Sequence, residues 1–105
     1  MSTAVVVTVT FVPAEGARDS MIAALSTAIA EVHKEDGCEL YAIHNAPDGT
    51  VVMLEKWTSK KALEAHAAGP AVADLNASLV GLLAVPPAVT ELAPIAAGTP
   101  EQGQL

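Results

Sequence analysis

The chain has 105 residues, a formal net charge of −7 and a hydrophobic fraction of 51%, which points to one folded domain and excludes disorder for the body of the chain. An acidic surface with no Lys/Arg stripe is repelled by phosphate, so neither nucleic acid nor an anionic membrane surface is an expected partner. Aromatics supply only 3% of the residues, so the core has to be built from Val, Leu, Ile and Ala, and a second copy that buries more apolar surface is expected.

Cys38 is the single cysteine and cannot form an internal disulfide, which fits a reducing cytoplasm. The opening "MSTAVVVTVTFV" lacks a basic stretch and reads as a strand rather than a signal peptide. No apolar run approaches the roughly 20 residues needed to cross a bilayer. A cytoplasmic protein is expected.

Residues 3–12, "TAVVVTVTFV", are β-branched almost throughout and predict a strand ended by Pro13. Val5, Val7, Val9 and Phe11 share one face, and Val6, Thr8 and Thr10 the other. Neither face is charged, so both are expected to be covered. From Ala17 to Lys34 the residues Met21, Ile22, Leu25, Ile29 and Val32 fall at helical spacing. Gly37 then stands where a left-handed turn belongs, after Glu35 and Asp36.

"CELYAIHNA" and "TVVMLEKWT" flank "PDG", a hairpin signal that predicts two antiparallel strands over 38–46 and 50–58. Alternation sets Tyr41 and Ile43 on one face against Leu40, Ala42 and His44 on the other. Likewise Met53, Glu55 and Trp57 oppose Val52, Leu54 and Lys56. Thr58 or Ser59 can cap a short helix ending near Ala67, which Gly69-Pro70 breaks. The next helix carries Val72, Leu75, Leu79, Leu82 and Leu83 and stops at Pro86-Pro87. "AVTELAPI", residues 88–95, reads as a last strand, and residues 96–105 lack apolar periodicity and are expected to be a mobile tail.

The order β-α-β-β-α-β, with a broken second helix, predicts an α+β, ferredoxin-like domain over residues 1–95: a four-stranded antiparallel sheet with its helices on one face. The other face is too apolar to stand in water, so a homodimer is expected.

Three stretches, "EDGCELYAIH", "VVMLEKWTSKKALEAH" and "GPAVADLNASLVGLLAVPPAVTEL", resemble the antibiotic biosynthesis monooxygenase (ABM) domain family. The resemblance lies in an acidic-Gly-Cys-x-x-Tyr turn (Asp36, Gly37, Cys38, Tyr41) and in Glu-x-Trp at a strand end (Glu55, Trp57). It continues in a Ser-x-x-Ala-Leu helix start (Ser59, Ala62, Leu63) and a closing histidine, His66. It implies a dimeric α+β barrel with a pocket between sheet and helices, and oxidation of quinol or polyketide-like compounds by O2 without metal or flavin. Relatives that degrade haem are also implied. Family members often carry a second histidine and an aromatic after the following proline; here Ala71 and Val72 stand there.

Two readings attach to each candidate residue. Trp57 is a core plug, or a wall on which a flat aromatic substrate stacks. His66 is a helix-end histidine, or a general base that takes a phenolic proton. Tyr41 and His44 face opposite sides, one toward the helices, and either can shape a binding pocket. Glu55 is a carboxylate partner for a histidine, or half of a salt bridge at the dimer contact. Cys38 reads as a small buried residue. His33, His44 and His66 show no ligand spacing, and there is neither a Cys pair nor a dinucleotide fingerprint, so no metal and no organic cofactor are expected. The resemblance makes the expected function a cofactor-independent monooxygenase that oxidises a small aromatic quinol or polyketide-like compound with O2. A non-catalytic dimeric barrel that binds a small hydrophobic molecule is the alternative, and haem degradation ranks behind both.

Overall fold

The β-branched run at the start forms β1 (Val5–Phe11) in the computed structural model of the protein, which describes residues 3–105. It is followed by α1 (Arg18–Val32), β2 (Cys38–Asn45), β3 (Val51–Trp57), α2 (Lys60–Ala67), α3 (Pro70–Ser78) and β4 (Ala88–Leu92). The strands join in the order β2-β3-β1-β4, all antiparallel. This is the expected α+β ferredoxin-like arrangement.

Register follows from alternation. Val5, Val7, Val9 and Phe11 stand opposite Trp57, Glu55, Met53 and Val51, and Tyr41 stands opposite Glu55. All of these are buried, which identifies this as the face beneath the helices. Met21, Leu25, Ala28 and Val32 of α1 are buried on it, as are Leu75 and Leu79. A bulge between Cys38 and Leu40 starts β2, so Cys38 still opposes Trp57 while Leu40 opposes Lys56. The opposite face presents Thr8, Thr10, Ala42, Val52 and Leu54, which are half-buried, and His44, which is exposed.

The β2-β3 hairpin turns at Gly49, with φ of +89°, and Asp48 accepts from both the backbone N–H and the hydroxyl of Thr50. Arg18 at the start of α1 donates to the Gly49 carbonyl at 3.3 Å and to Asn45 Oδ1, tying the helix to the hairpin.

Two elements are shorter than their sequence patterns predict. The α3 helix ends at Ser78 rather than near Leu83, because Gly81 takes φ of +80° and the chain turns back toward β1. There Ala14 donates to the Leu82 carbonyl and Ala84 to that of Val12, each at 2.8 Å, and these bonds replace further helix. The last strand ends at Leu92, the partner of Val6, rather than at Ile95; Pro94 just beyond it has no N–H to extend the ladder. Every residue of β4 is exposed. Residues 93–105 contain no helix or strand, only a turn in which Thr99 accepts from the Gln102 N–H. Among the described residues no helix is long and apolar enough to cross a membrane.

Candidate active site

The turn after α1 shapes the site. Lys34 and Glu35 donate to the carbonyls of Glu31 and Val32, and Gly37 follows with φ of +82°. The Gly37 carbonyl accepts from Thr58 N–H at 2.9 Å, and a Cβ at position 37 would lie 2.6 Å from that of Ala62. Only glycine allows so close an approach with this backbone conformation. The turn therefore rests on the start of α2 and presents Glu35 to that helix. Ser59 caps α2, its hydroxyl accepting from Ala62 N–H at 3.1 Å. His66 lies near the end of α2 and turns inward, leaving 6% of its surface exposed.

Four side chains surround the His66 ring. Nδ1 lies 2.9 Å from Glu35 Oε1, and Nε2 lies 3.9 Å from Glu55 Oε1. The Trp57 indole stacks on the imidazole, with centroids 4.4 Å apart and planes inclined by 30°. The Tyr41 ring meets it edge-on at 5.3 Å. Trp57 Nε1 donates to Glu55 Oε1 at 2.9 Å, so the same indole orients both the base candidate and the buried carboxylate.

Burial dominates the electrostatics. It pushes the Glu55 carboxyl above its ordinary range; the Trp57 hydrogen bond and the neighbouring His66 oppose this, while Glu35 adds to it. The Tyr41 phenol is pushed upward as well, first by burial and then by Glu55 and Glu35, so it is a hydroxyl donor rather than a phenolate. Burial and Glu35 likewise raise Cys38, which remains a half-buried thiol.

A cavity of about 200 Å³ opens between the sheet and helices α2 and α3. Val9, Phe11, Met53, Leu75 and Leu79 give it apolar walls, and Tyr41, Glu55 and His66 add its polar groups. Exposed Asn76, Pro87 and Val89 also line it, so it reaches the surface beside β4. On the outer side of His66 lies a separate groove of about 400 Å³ with Glu31, Glu35, Asp36 and Asp74 on its rim. Ala71 lines this outer groove, whereas Val72 lines the inner cavity. Position 71 thus borders the outer groove, not the inner cavity.

Of the residues singled out from sequence, Tyr41, Glu55, Trp57 and His66 are brought together and His44 is not. His44 lies on the opposite face of the sheet, exposed, with Nδ1 3.3 Å from the Val52 carbonyl. Trp57 is fully buried behind His66 and is absent from the cavity lining, so it backs the histidine rather than walling the pocket. Glu55 faces the helices and bonds Trp57 inside the fold, so it is not on the open face of the sheet. The residue that sequence reasoning missed is Glu35, which reads locally as one more turn acid and meets His66 only through the tertiary fold. Among the described residues no group of three His, Cys, Asp or Glu side chains is placed to hold a metal ion.

The family model for antibiotic biosynthesis monooxygenase matches residues 4–78. This chain belongs to that family. The match takes in Glu35, Tyr41, Glu55, Trp57 and His66, so the cluster around the imidazole lies inside the ABM domain, whereas Pro87 and Val89 at the cavity mouth lie beyond it. A relative, Rv0793 of Mycobacterium tuberculosis, provisionally named a monooxygenase, is 35% identical over 96 residues, covering 90% of this chain and 95% of the relative. The solved structure of Rv0793 superposes with a TM-score of 0.84 at 34% identity, over 91% of this chain and 99% of that one. An ABM protein of Caulobacter crescentus CB15, also provisionally named, shares the fold at 20% identity, with a TM-score of 0.83 over 90% of this chain and 92% of its own.

Proposed function

We propose that this ABM domain is a cofactor-independent monooxygenase that oxidises a small aromatic quinol with O2. The observation that carries the reading is the position of His66 at the apolar cavity: its Nε2 makes no hydrogen bond within the described residues, while Nδ1 is held by Glu35. A nitrogen so placed can take the proton of a phenolic hydroxyl. The resulting anion passes one electron to O2, and the aryl-oxygen radical and superoxide combine to form a carbon–oxygen bond. The peroxide anion takes back the proton held on His66 to give the hydroperoxide. Removal of the C–H proton from the same carbon by His66 and cleavage of the O–O bond then leave a carbonyl, and that proton joins the departing hydroxide as water. Tyr41, held as a neutral phenol, can donate a hydrogen bond to the substrate anion. A volume of about 200 Å³ is small for a ligand pocket and suits one or two aromatic rings.

Two copies are proposed to meet through the open sheet face, where Val52 and Leu54 are only half-covered and β4 is exposed throughout. The test is oxygen uptake by the purified protein across substituted hydroquinones, naphthohydroquinones and anthrones. Uptake with at least one, abolished in His66→Ala with unchanged circular dichroism, is the expected result. No uptake with any of them, together with thermal stabilisation by the same compounds, would replace this reading with a non-catalytic binding domain.

A further inference from the structure

His66 stands between two environments. Among the described residues it alone lines both the inner apolar cavity and the outer acidic groove. Its two nitrogens have unequal partners. Nδ1 is 2.9 Å from Glu35 Oε1, a hydrogen-bond distance, whereas Nε2 is 3.9 Å from Glu55 Oε1, which is too long for one. Glu55 Oε1 is moreover already the acceptor for Trp57 Nε1.

A neutral imidazole carries one N–H, and a carboxylate can only accept. With the hydrogen on Nε2, the Nδ1 lone pair would face a carboxylate oxygen at 2.9 Å with no proton between them, and the Nε2–H would lack an acceptor in reach. With the hydrogen on Nδ1, the short contact becomes a charge-assisted hydrogen bond and the Nε2 lone pair is left for the cavity. From this we infer that Glu35 is a positioning residue that fixes His66 in its Nδ1–H tautomer and so makes Nε2 the base. Once Nε2 takes a proton, Glu35 and Glu55 flank the imidazolium on either side, and neither ring nitrogen has to turn. The Gly37 turn, seated against Ala62, is what holds Glu35 in place. The use of this arrangement in catalysis rests on the monooxygenase reading above; the tautomer itself does not.

The test is a long-range ¹H–¹⁵N correlation spectrum of the full chain, with the His66 signals assigned by their loss in His66→Gln. The wild type is expected to show Nδ1–H as the major neutral form. Glu35→Gln, whose amide oxygen still accepts, retains it. Glu35→Ala shifts the tautomer ratio toward Nε2–H by about tenfold or more, the size expected for losing a hydrogen bond to a charged group. A wild-type spectrum dominated by Nε2–H, or an unchanged ratio in Glu35→Ala, overturns the inference. In oxygen uptake with 1,4-naphthohydroquinone, Glu35→Ala is expected to lower kcat at least tenfold with KM within about twofold, and Glu35→Gln to restore part of it. The expected tautomer in a protein that consumes no oxygen would sink the monooxygenase reading and leave this one standing. Uptake that needs His66 but is indifferent to Glu35→Ala would do the reverse.

Discussion

Trp57 lies flat against His66, its indole centroid 4.4 Å from that of the imidazole, while its Nε1 donates to Glu55. One side chain thereby fixes a ring and a carboxylate that come from different elements. Trp57 is fully buried, so the same contacts that order the site also hold the fold.

Replacing it separates the two effects. Trp57→Phe keeps most of the apolar contact but leaves Glu55 buried without its donor, an expected loss of about 1–3 kcal/mol. Trp57→Ala removes the whole ring and is expected to cost about 3–5 kcal/mol. Urea midpoints measure both, and a Phe variant as stable as the wild type would refute the role given to the Nε1–Glu55 bond.

Glu55 gives the stability a recognisable pH dependence. Burial raises its folded-state value, so between the ordinary carboxylate value and that raised value the folded chain keeps a proton the unfolded chain has released. Stability from this site is therefore greatest at low pH, falls as the pH rises through that window, and is level above it. Glu55→Gln cannot titrate. The stability of the wild type minus that of the variant should decline across the window, read from urea midpoints at stepped pH, and a difference that rises with pH would contradict the assignment.

Gly37 and Gly49 both have positive φ, at +82° and +89°, but only Gly37 is crowded. Gly49→Ala meets nothing within 4 Å and should cost only the left-handed strain, about 1–2 kcal/mol. Gly37→Ala would in addition press on Ala62 and Thr58, with contacts of 2.6 and 2.7 Å. It is expected to lower Tm clearly further than Gly49→Ala, where each 1 kcal/mol amounts to about 4–8 °C in a domain of this size. Equal losses would mean that the turn does not rest on α2.

Val72 lines the inner cavity. 1-Naphthol is expected to raise Tm by occupying the cavity, and Val72→Phe, which fills part of the space, to abolish that rise, with overpacking limited to about 1–3 kcal/mol. Undiminished stabilisation would place the ligand elsewhere.

Much of this was readable from residue spacing. Alternation put Met53, Glu55 and Trp57 on one face and separated Tyr41 from His44, because a strand has a period of two whatever surrounds it. Spacing of Met21, Ile22, Leu25, Ile29 and Val32 outlined the apolar stripe of α1 in the same way. Met21, Leu25 and Val32 are buried together with Ala28, while Ile22 and Ile29 are half-buried at its edge. Local pattern overreached where long-range bonds compete: Leu79, Leu82 and Leu83 continue a helical stripe, yet the chain leaves the helix at Ser78 to bond residues 12–14.

The sequence by itself determined the elements, their order and the family signature, since these depend on neighbours a few positions apart. It could say that Tyr41 and His44 point opposite ways but not which of them meets the helices, because parity has no sign until a helix covers one face. Only the tertiary structure decided that Tyr41 lies inside, that Trp57 backs His66 rather than walling a pocket, and that Glu35 reaches His66 across 31 residues of chain. Contacts of that range leave no periodic trace, because they are fixed by how whole elements pack and not by any local preference of the residues that make them.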